Sequence, residues 1–70
     1  MNKQGKKIKI TVSEIIHRSG GQMVVAIGCN VSQLAVVQWE NRKSIPQKFW
    51  NYFVENKYAT LEELFIARNR

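Results

Sequence analysis

The side chains that could act as acids, bases or nucleophiles are few and scattered along the chain of 70 residues. His17 is the single histidine and Cys29 the single cysteine, and neither has a suitably spaced partner for a metal site or a nucleophile and base pair. Glu62 and Glu63 are adjacent, and adjacent residues of a helix do not face each other. The sequence therefore predicts no enzymatic activity, no metal and no cofactor. His17 is expected at the surface, and Cys29 is expected to pack as a small buried hydrophobe.

The charge balance favours a polyanionic partner. Eleven Lys and Arg residues oppose five Asp and Glu residues, for a formal net charge of +6, and such a field attracts nucleic acid. A chain this short holds one domain and leaves little room for a small-molecule pocket. A single cysteine suits a reducing compartment, and the start lacks the apolar run of a signal peptide or membrane span. We expect a cytoplasmic protein with no membrane partner and no small-molecule substrate.

The pattern of apolar residues and caps predicts an all-α domain of five helices over residues 11–70, preceded by an arm. Residues 1–10 are expected to form a flexible basic arm, and its lysines, Lys3, Lys6, Lys7 and Lys9, are candidates for DNA contact. Capping boxes at Thr11–Glu14 and Thr60–Glu63 mark two helix starts. Pro46 suits the first turn of the fourth helix. The helices are predicted over residues 12–19, 22–29, 32–41, 46–56 and 61–68.

Large apolar side chains in the second half of the chain supply the expected core. Trp39, Phe49, Trp50 and Phe53 are predicted to pack inside rather than to stack on bases. The fifth helix is predicted to face inward through Leu61, Leu64 and Phe65. Tyr58 and Ile66 are then left over, and an exposed apolar patch on so small a domain often marks self-association. We therefore expect a weak homodimer.

The segment from Gly21 to Ile45 is the most informative. Ala26 supplies a small side chain where two helices could cross closely, and Ser32 is a good N-cap for a helix to about Asn41. Residues 31–39 read Val-Ser-Gln-Leu-Ala-Val-Val-Gln-Trp, and Ile45-Pro46 follows. These residues resemble the helix-turn-helix of the Cro and CI repressor superfamily. The resemblance implies a lambda-repressor-like fold and a phage or prophage transcriptional repressor that binds a palindromic operator in double-stranded DNA.

The resemblance also implies which side chains touch DNA. It places Gln33, Leu34, Val37 and Gln38 at base edges in the major groove, where glutamine can bind adenine and apolar groups can meet thymine methyls, so that A·T-containing half-sites are favoured. It places Gln22 against a phosphate and against the glutamine of the recognition helix. Ser32 is expected near the phosphates, with further backbone contacts from Arg18, Arg42, Lys43 and Lys48. Five residues should face inward beneath this surface: Val25, Cys29, Val31, Val36 and Trp39.

Two alternatives stay open on the sequence alone. The family's turn usually has glycine where this chain has Asn30, and asparagine tolerates a positive φ nearly as well. A second register of the alignment with the family would instead put Gly28 in the turn. The same fold could also serve as an adaptor or antitoxin-like module that binds a protein partner, through Leu34 and Val37.

Overall fold

The computed structural model describes residues 10–68, which form five α-helices and no strand within that range. The helices are α1 (Val12–Arg18), α2 (Gln22–Cys29), α3 (Gln33–Arg42), α4 (Trp50–Glu55) and α5 (Leu61–Arg68). The all-α fold with five helices is confirmed, and four of the helices begin and end within one residue of the predicted bounds. The predicted basic arm, with its four lysines at positions 3, 6, 7 and 9, lies outside the described residues except for Ile10.

Local side-chain caps start three of these helices as the sequence predicts: Ser32 caps α3, and capping boxes start α1 and α5. Thr11 Oγ1 accepts from the Glu14 backbone N–H at 3.2 Å, and Glu14 Oε1 accepts from the Thr11 N–H at 3.3 Å. Thr60 and Glu63 make the same reciprocal pair at the start of α5, both at 3.1 Å. Each capping box satisfies two backbone donors that the helix itself leaves unpaired.

The fourth helix is shorter than predicted. Pro46 has φ −56° and ψ 136° and precedes the helical residues instead of joining them. A 3-10 turn over Gln47–Phe49 follows, because the Phe49 N–H donates to the Pro46 carbonyl three residues back at 2.9 Å. Trp50 then begins α4, and its indole Nε1 donates to the Ile45 carbonyl at 2.8 Å. This buried bond ties the loop after α3 to the start of α4.

One apolar core joins all five helices and includes the first described residue. Phe53 is the largest fully buried side chain, and Trp39 and Trp50 are buried as predicted, while Phe49 is half-buried against them. Ile10 is only 4% exposed, so this last residue of the predicted arm belongs to the core instead. The other buried apolar residues are Val12, Ile15, Ile16, Val25, Ala26, Val36, Ile45, Ala59, Leu64 and Ala67.

The predicted inner face of α5 is wrong in two of its three residues. Leu64 is buried, but Leu61 is 58% exposed and Phe65 is 52% exposed. The small Ala67 is buried beside Leu64 and lets the helix approach the core closely. Glu63 bonds to Arg18 of α1, which holds α5 rotated so that Leu61 and Phe65 face outward.

Gly28 of α2 lies directly against the ring of Tyr52, so that a methyl group at this position would overlap the ring. Replacing a helical glycine by alanine ordinarily stabilises a helix by up to about 1 kcal/mol. Here the overlap should outweigh that gain, because overpacking costs about 1–3 kcal/mol. Gly28→Ala is therefore expected to lower the free energy of unfolding, as measured by urea denaturation. In a Tyr52→Ala background the same change should stabilise the protein, and an equal effect in both backgrounds would contradict this packing.

Candidate nucleic-acid interface

The turn between α2 and α3 has the geometry predicted for Asn30. Asn30 has φ 59° and ψ 47°, the left-handed conformation, and the Val31 N–H donates to the Ala26 carbonyl at 2.9 Å. Gly28 lies inside α2, so the alternative register with Gly28 in the turn is excluded. Asparagine adopts this conformation more readily than most residues because its short polar side chain can form hydrogen bonds with the nearby backbone.

A small apolar interface holds α3 against α2. Ala26 is 5% exposed at the crossing, and Val25, Val36 and Trp39 are buried as predicted. The two remaining members of the predicted inner set, Cys29 and Val31, are half-buried and pack on the core. Burial raises the pKa of the Cys29 thiol, which keeps it protonated and unreactive near neutral pH. The position and rotation of α3 are therefore fixed from beneath.

The opposite face of α3 is open to solvent. Gln33, Leu34 and Gln38 are exposed and Val37 is half-buried, and these four positions fall on one side of the helix at helical spacing. Leu34 is 64% exposed. The Ser32 hydroxyl caps the helix by accepting from the Ala35 N–H at 3.1 Å. This outer face presents amide and aliphatic groups and no charge.

Gln22 links the start of α2 to the outer face of α3. Gln33 Nε2 donates to Gln22 Oε1 at 3.2 Å, so the contact implied by the family resemblance is present. Gln22 Nε2 in turn donates to Glu40 Oε1 at 2.6 Å. Sequence reasoning missed Glu40, although its position seven residues after Gln33, two helical turns along the same face, is a signal that could have found it.

Three of the four predicted basic contacts lie in and after the last turn of α3. Arg42 and Lys43 are exposed at its C-terminal end, where Lys43 is the C-cap with φ 60°. Lys48 is exposed in the 3-10 turn, with its Nζ 5.2 Å from the centroid of the Phe49 ring. All three side chains are therefore open to solvent.

Arg18, the fourth residue predicted to contact the DNA backbone, lies on α1 and is bonded to α5 and the residues before it. Its guanidinium donates to Glu63 Oε1 at 2.9 Å, to Glu63 Oε2 at 3.2 Å and to the Tyr58 carbonyl at 3.0 Å. The hydrogen bond from Arg18 is the main reason that the pKa of Glu63 is lowered. Arg18 thus fastens α1 to α5, and its contact with a phosphate stays a prediction.

Arg18→Met tests this structural assignment through its pH dependence. Because the pair is partly exposed, its loss should lower the free energy of unfolding by only about 0.5–1 kcal/mol near neutral pH. The stabilisation is fully present above the ordinary glutamate pKa and disappears as the pH falls through the lowered pKa of Glu63. Urea denaturation of both proteins from about pH 7 to about pH 3 should show the difference shrink on acidification, with the part that belongs to the bond with the Tyr58 carbonyl remaining. A difference of the same size at both ends of this range would contradict the assignment.

No known protein family, curated protein or solved structure matches this chain. The family resemblance of residues 31–39 therefore stays a prediction. Within residues 10–68, no His, Cys, Asp and Glu side chains form a group of three or more that could hold a metal ion. None of the helices in that range has the length and apolar character that crossing a membrane requires.

Proposed function

We propose that this protein is a sequence-specific, double-stranded DNA-binding transcriptional repressor of the phage Cro type. The observation that carries the proposal is the outer face of α3: four exposed or half-exposed uncharged side chains on a helix that α2 holds rigidly from below. A recognition helix of this kind reads base edges when it lies in the major groove. Repression follows from occupation of the operator, and neither a cofactor nor a catalytic step is needed.

The chemistry of the outer face favours A·T base pairs. Gln33 and Gln38 each carry a donor and an acceptor that match the N7 and N6 groups of adenine, and Leu34 and Val37 offer methyl groups to the thymine methyl. Arginine, the residue that most often reads guanine, is absent from these four positions. We therefore propose half-sites that contain A·T pairs at the contacted positions.

Contacts to phosphate would position α3 without reading sequence. Gln22 stands at the first turn of α2, where backbone N–H groups also point outward, and Ser32, Arg42, Lys43 and Lys48 lie at the two ends of α3 or just beyond it. We propose that the N-terminal segment supplies much of the remaining electrostatic attraction to DNA. Its lysines, Lys3, Lys6, Lys7 and Lys9, are four of the eleven basic residues, whereas all five acidic residues come after them.

The proposed homodimer would use the exposed side of α5. Leu61 and Phe65 are one helical turn apart and more than half exposed, and α5 has acidic residues in its first turn and Arg68 in its last. In an antiparallel pair, the acidic first turn of α5 in each copy would lie near the basic last turn of the other, so the two ends of the surface are complementary in charge. A twofold pair of recognition helices one DNA turn apart would read a palindromic operator.

Replacing both Leu61 and Phe65 by Asn should abolish self-association, as measured by sedimentation, and leave the fold intact because neither side chain is buried. Affinity for a palindromic operator should fall at least about tenfold, since two linked half-site contacts become independent. Met23→Asn is a matched control, because Met23 is also 58% exposed but lies on α2. A wild-type protein that is strictly monomeric even on operator DNA would rule out the dimer.

Selection of bound sequences from a random duplex pool at two salt concentrations tests the proposal. We expect enrichment of A·T-containing half-sites, and affinity should fall by about 0.9 log units per log unit of salt for each phosphate neutralised.

The second candidate is an adaptor that binds a protein partner in the cytoplasm, favoured by the exposure of Ile27 (74%) and Leu34 (64%) on adjacent helices. Enrichment of no sequence at either salt concentration would reject the repressor and favour the adaptor.

A further inference from the structure

A chain of three polar side chains links two residues of α3, Glu40 and Gln33, through Gln22 of α2. Glu40, half-buried, accepts from Gln22 at 2.6 Å, and Gln22 accepts from Gln33 at 3.2 Å. The short first bond has a charged acceptor, and bonds to charged acceptors are about twice as strong as neutral ones. Glu40 lies two helical turns after Gln33 on α3 and is not among the residues assigned to DNA contact above.

The carboxylate sets the direction of every bond in this chain. An ionised carboxylate only accepts hydrogen bonds, whereas a glutamine amide has an NH₂ group at one side and a carbonyl oxygen at the other. Gln22 must therefore turn its NH₂ toward Glu40, which leaves its oxygen toward Gln33. Gln33 must then turn its own NH₂ toward Gln22. One orientation of the Gln33 amide is favoured over its flipped alternative.

This orientation matches adenine and disfavours guanine. With one Nε2 hydrogen used by Gln22, Gln33 keeps one hydrogen to donate to a purine N7 and its oxygen to accept from a neighbouring amino group. Adenine offers that pair, N7 and N6–H₂, whereas guanine places a second acceptor, O6, where the Gln33 oxygen lies. A flipped or freely turning Gln33 could instead donate to O6.

We propose that Glu40 is a positioning residue for base selectivity: by fixing Gln22, it fixes the Gln33 amide in the orientation that accepts adenine and rejects guanine. This inference rests on the proposed function for its consequence at DNA, but the hydrogen-bond chain itself exists in the protein alone. Glu40→Gln replaces the acceptor-only group by an amide that can also donate, so both directions of the chain become possible.

The first measurement needs no DNA. Side-chain ¹⁵N relaxation of the Gln33 amide should report an ordered group in the wild type and a more mobile one in Glu40→Gln, while the amide of Gln47, which is exposed elsewhere, should stay unchanged. Glu55→Gln is the control, since it makes the same change in charge at an exposed residue of α4. If the Gln33 amide is equally ordered in Glu40→Gln and the wild type, the proposal is wrong.

The second measurement uses duplexes with adenine or guanine at the position where Gln33→Ala loses discrimination. The ratio of the two affinities should fall about five- to tenfold in Glu40→Gln, which is part of the selectivity that one bidentate contact supplies. Glu55→Gln should keep the ratio. An equal change of affinity for both duplexes would show that only the charge of Glu40 matters, and would overturn the proposal.

Exchanging the residue types at positions 22 and 40 should restore the orientation of the Gln33 amide. In the double variant Gln22→Glu, Glu40→Gln, the acceptor-only group sits at position 22 and again compels Gln33 to turn its NH₂ inward, with no change in net charge. Order at Gln33 and discrimination against guanine should both return, although a carboxylate at position 22 should weaken binding to any duplex. Failure of the swap to restore order would count against the proposal. If the wild type binds no duplex, the proposed function fails and the relaxation data alone decide the role of Glu40.

Discussion

Phe53→Ala is expected to lower the free energy of unfolding by about 3–5 kcal/mol, the range for large-to-small changes at buried aromatic residues. Phe53 is fully buried and is the largest such side chain, and its ring meets that of Tyr52 edge-on, with centroids 5.1 Å apart. A domain of this size seldom has more than about 3–5 kcal/mol of stability in total. Most of the variant should therefore be unfolded at room temperature, as seen by loss of helical circular dichroism.

Phe65→Ala is the matched control for this prediction. It removes the same atoms from α5, but Phe65 is 52% exposed, so the loss should stay below about 1 kcal/mol, as is usual for substitutions at the surface. Both variants should be compared at concentrations too low for self-association. Comparable destabilisation by the two changes would contradict the rotation of α5 and the position of the core.

Alanine at Gln33 or Gln38 should each weaken binding to the selected duplex by about 1–3 kcal/mol, the value of one good base contact. Binding to an unrelated duplex should hardly change, because the phosphate contacts and the net charge are kept. Both glutamines are exposed, so neither change should alter the free energy of unfolding, measured by thermal denaturation, by more than about 0.5 kcal/mol. Fluorescence anisotropy titrations with the two duplexes measure the effect.

Gln47→Ala is the control for these two variants, since Gln47 is also exposed but lies in the 3-10 turn before α4. It should leave both affinities unchanged. Equal losses on the selected and unrelated duplexes, or a loss with Gln47→Ala as large as with Gln33→Ala, would mean that the outer face of α3 does not read bases.

The features that the sequence predicts well are those set by neighbours in the chain. A capping box needs only four consecutive residues, and both of them form. The turn at Asn30 follows from one backbone preference. Local preferences do not predict every backbone conformation. Lys43 and Lys57 adopt positive φ values of 60° and 62°, for which lysine has no intrinsic preference, because the ends of α3 and α4 impose that conformation.

The features that sequence patterns miss depend on contacts between distant segments. The rotation of α5 was mispredicted because Leu61 and Phe65 are as apolar as Leu64, and the bond between Arg18 and Glu63 joins residues 45 positions apart. Within the site, the residue types on α3 are readable from the sequence, and helical spacing places Glu40 on the side of Gln33, whereas the hydrogen bonds of both residues to Gln22 join two helices and are seen only in the structure.

The most direct test of the central claim is an NMR measurement on the protein bound to its selected duplex. If the outer face of α3 lies in the major groove, intermolecular NOEs should connect the methyl groups of Leu34 and Val37 to thymine methyl or cytosine H5 protons, which lie in that groove. NOEs to the duplex that arise only from other helices, with Leu34 and Val37 showing none, would contradict the proposed mode of recognition.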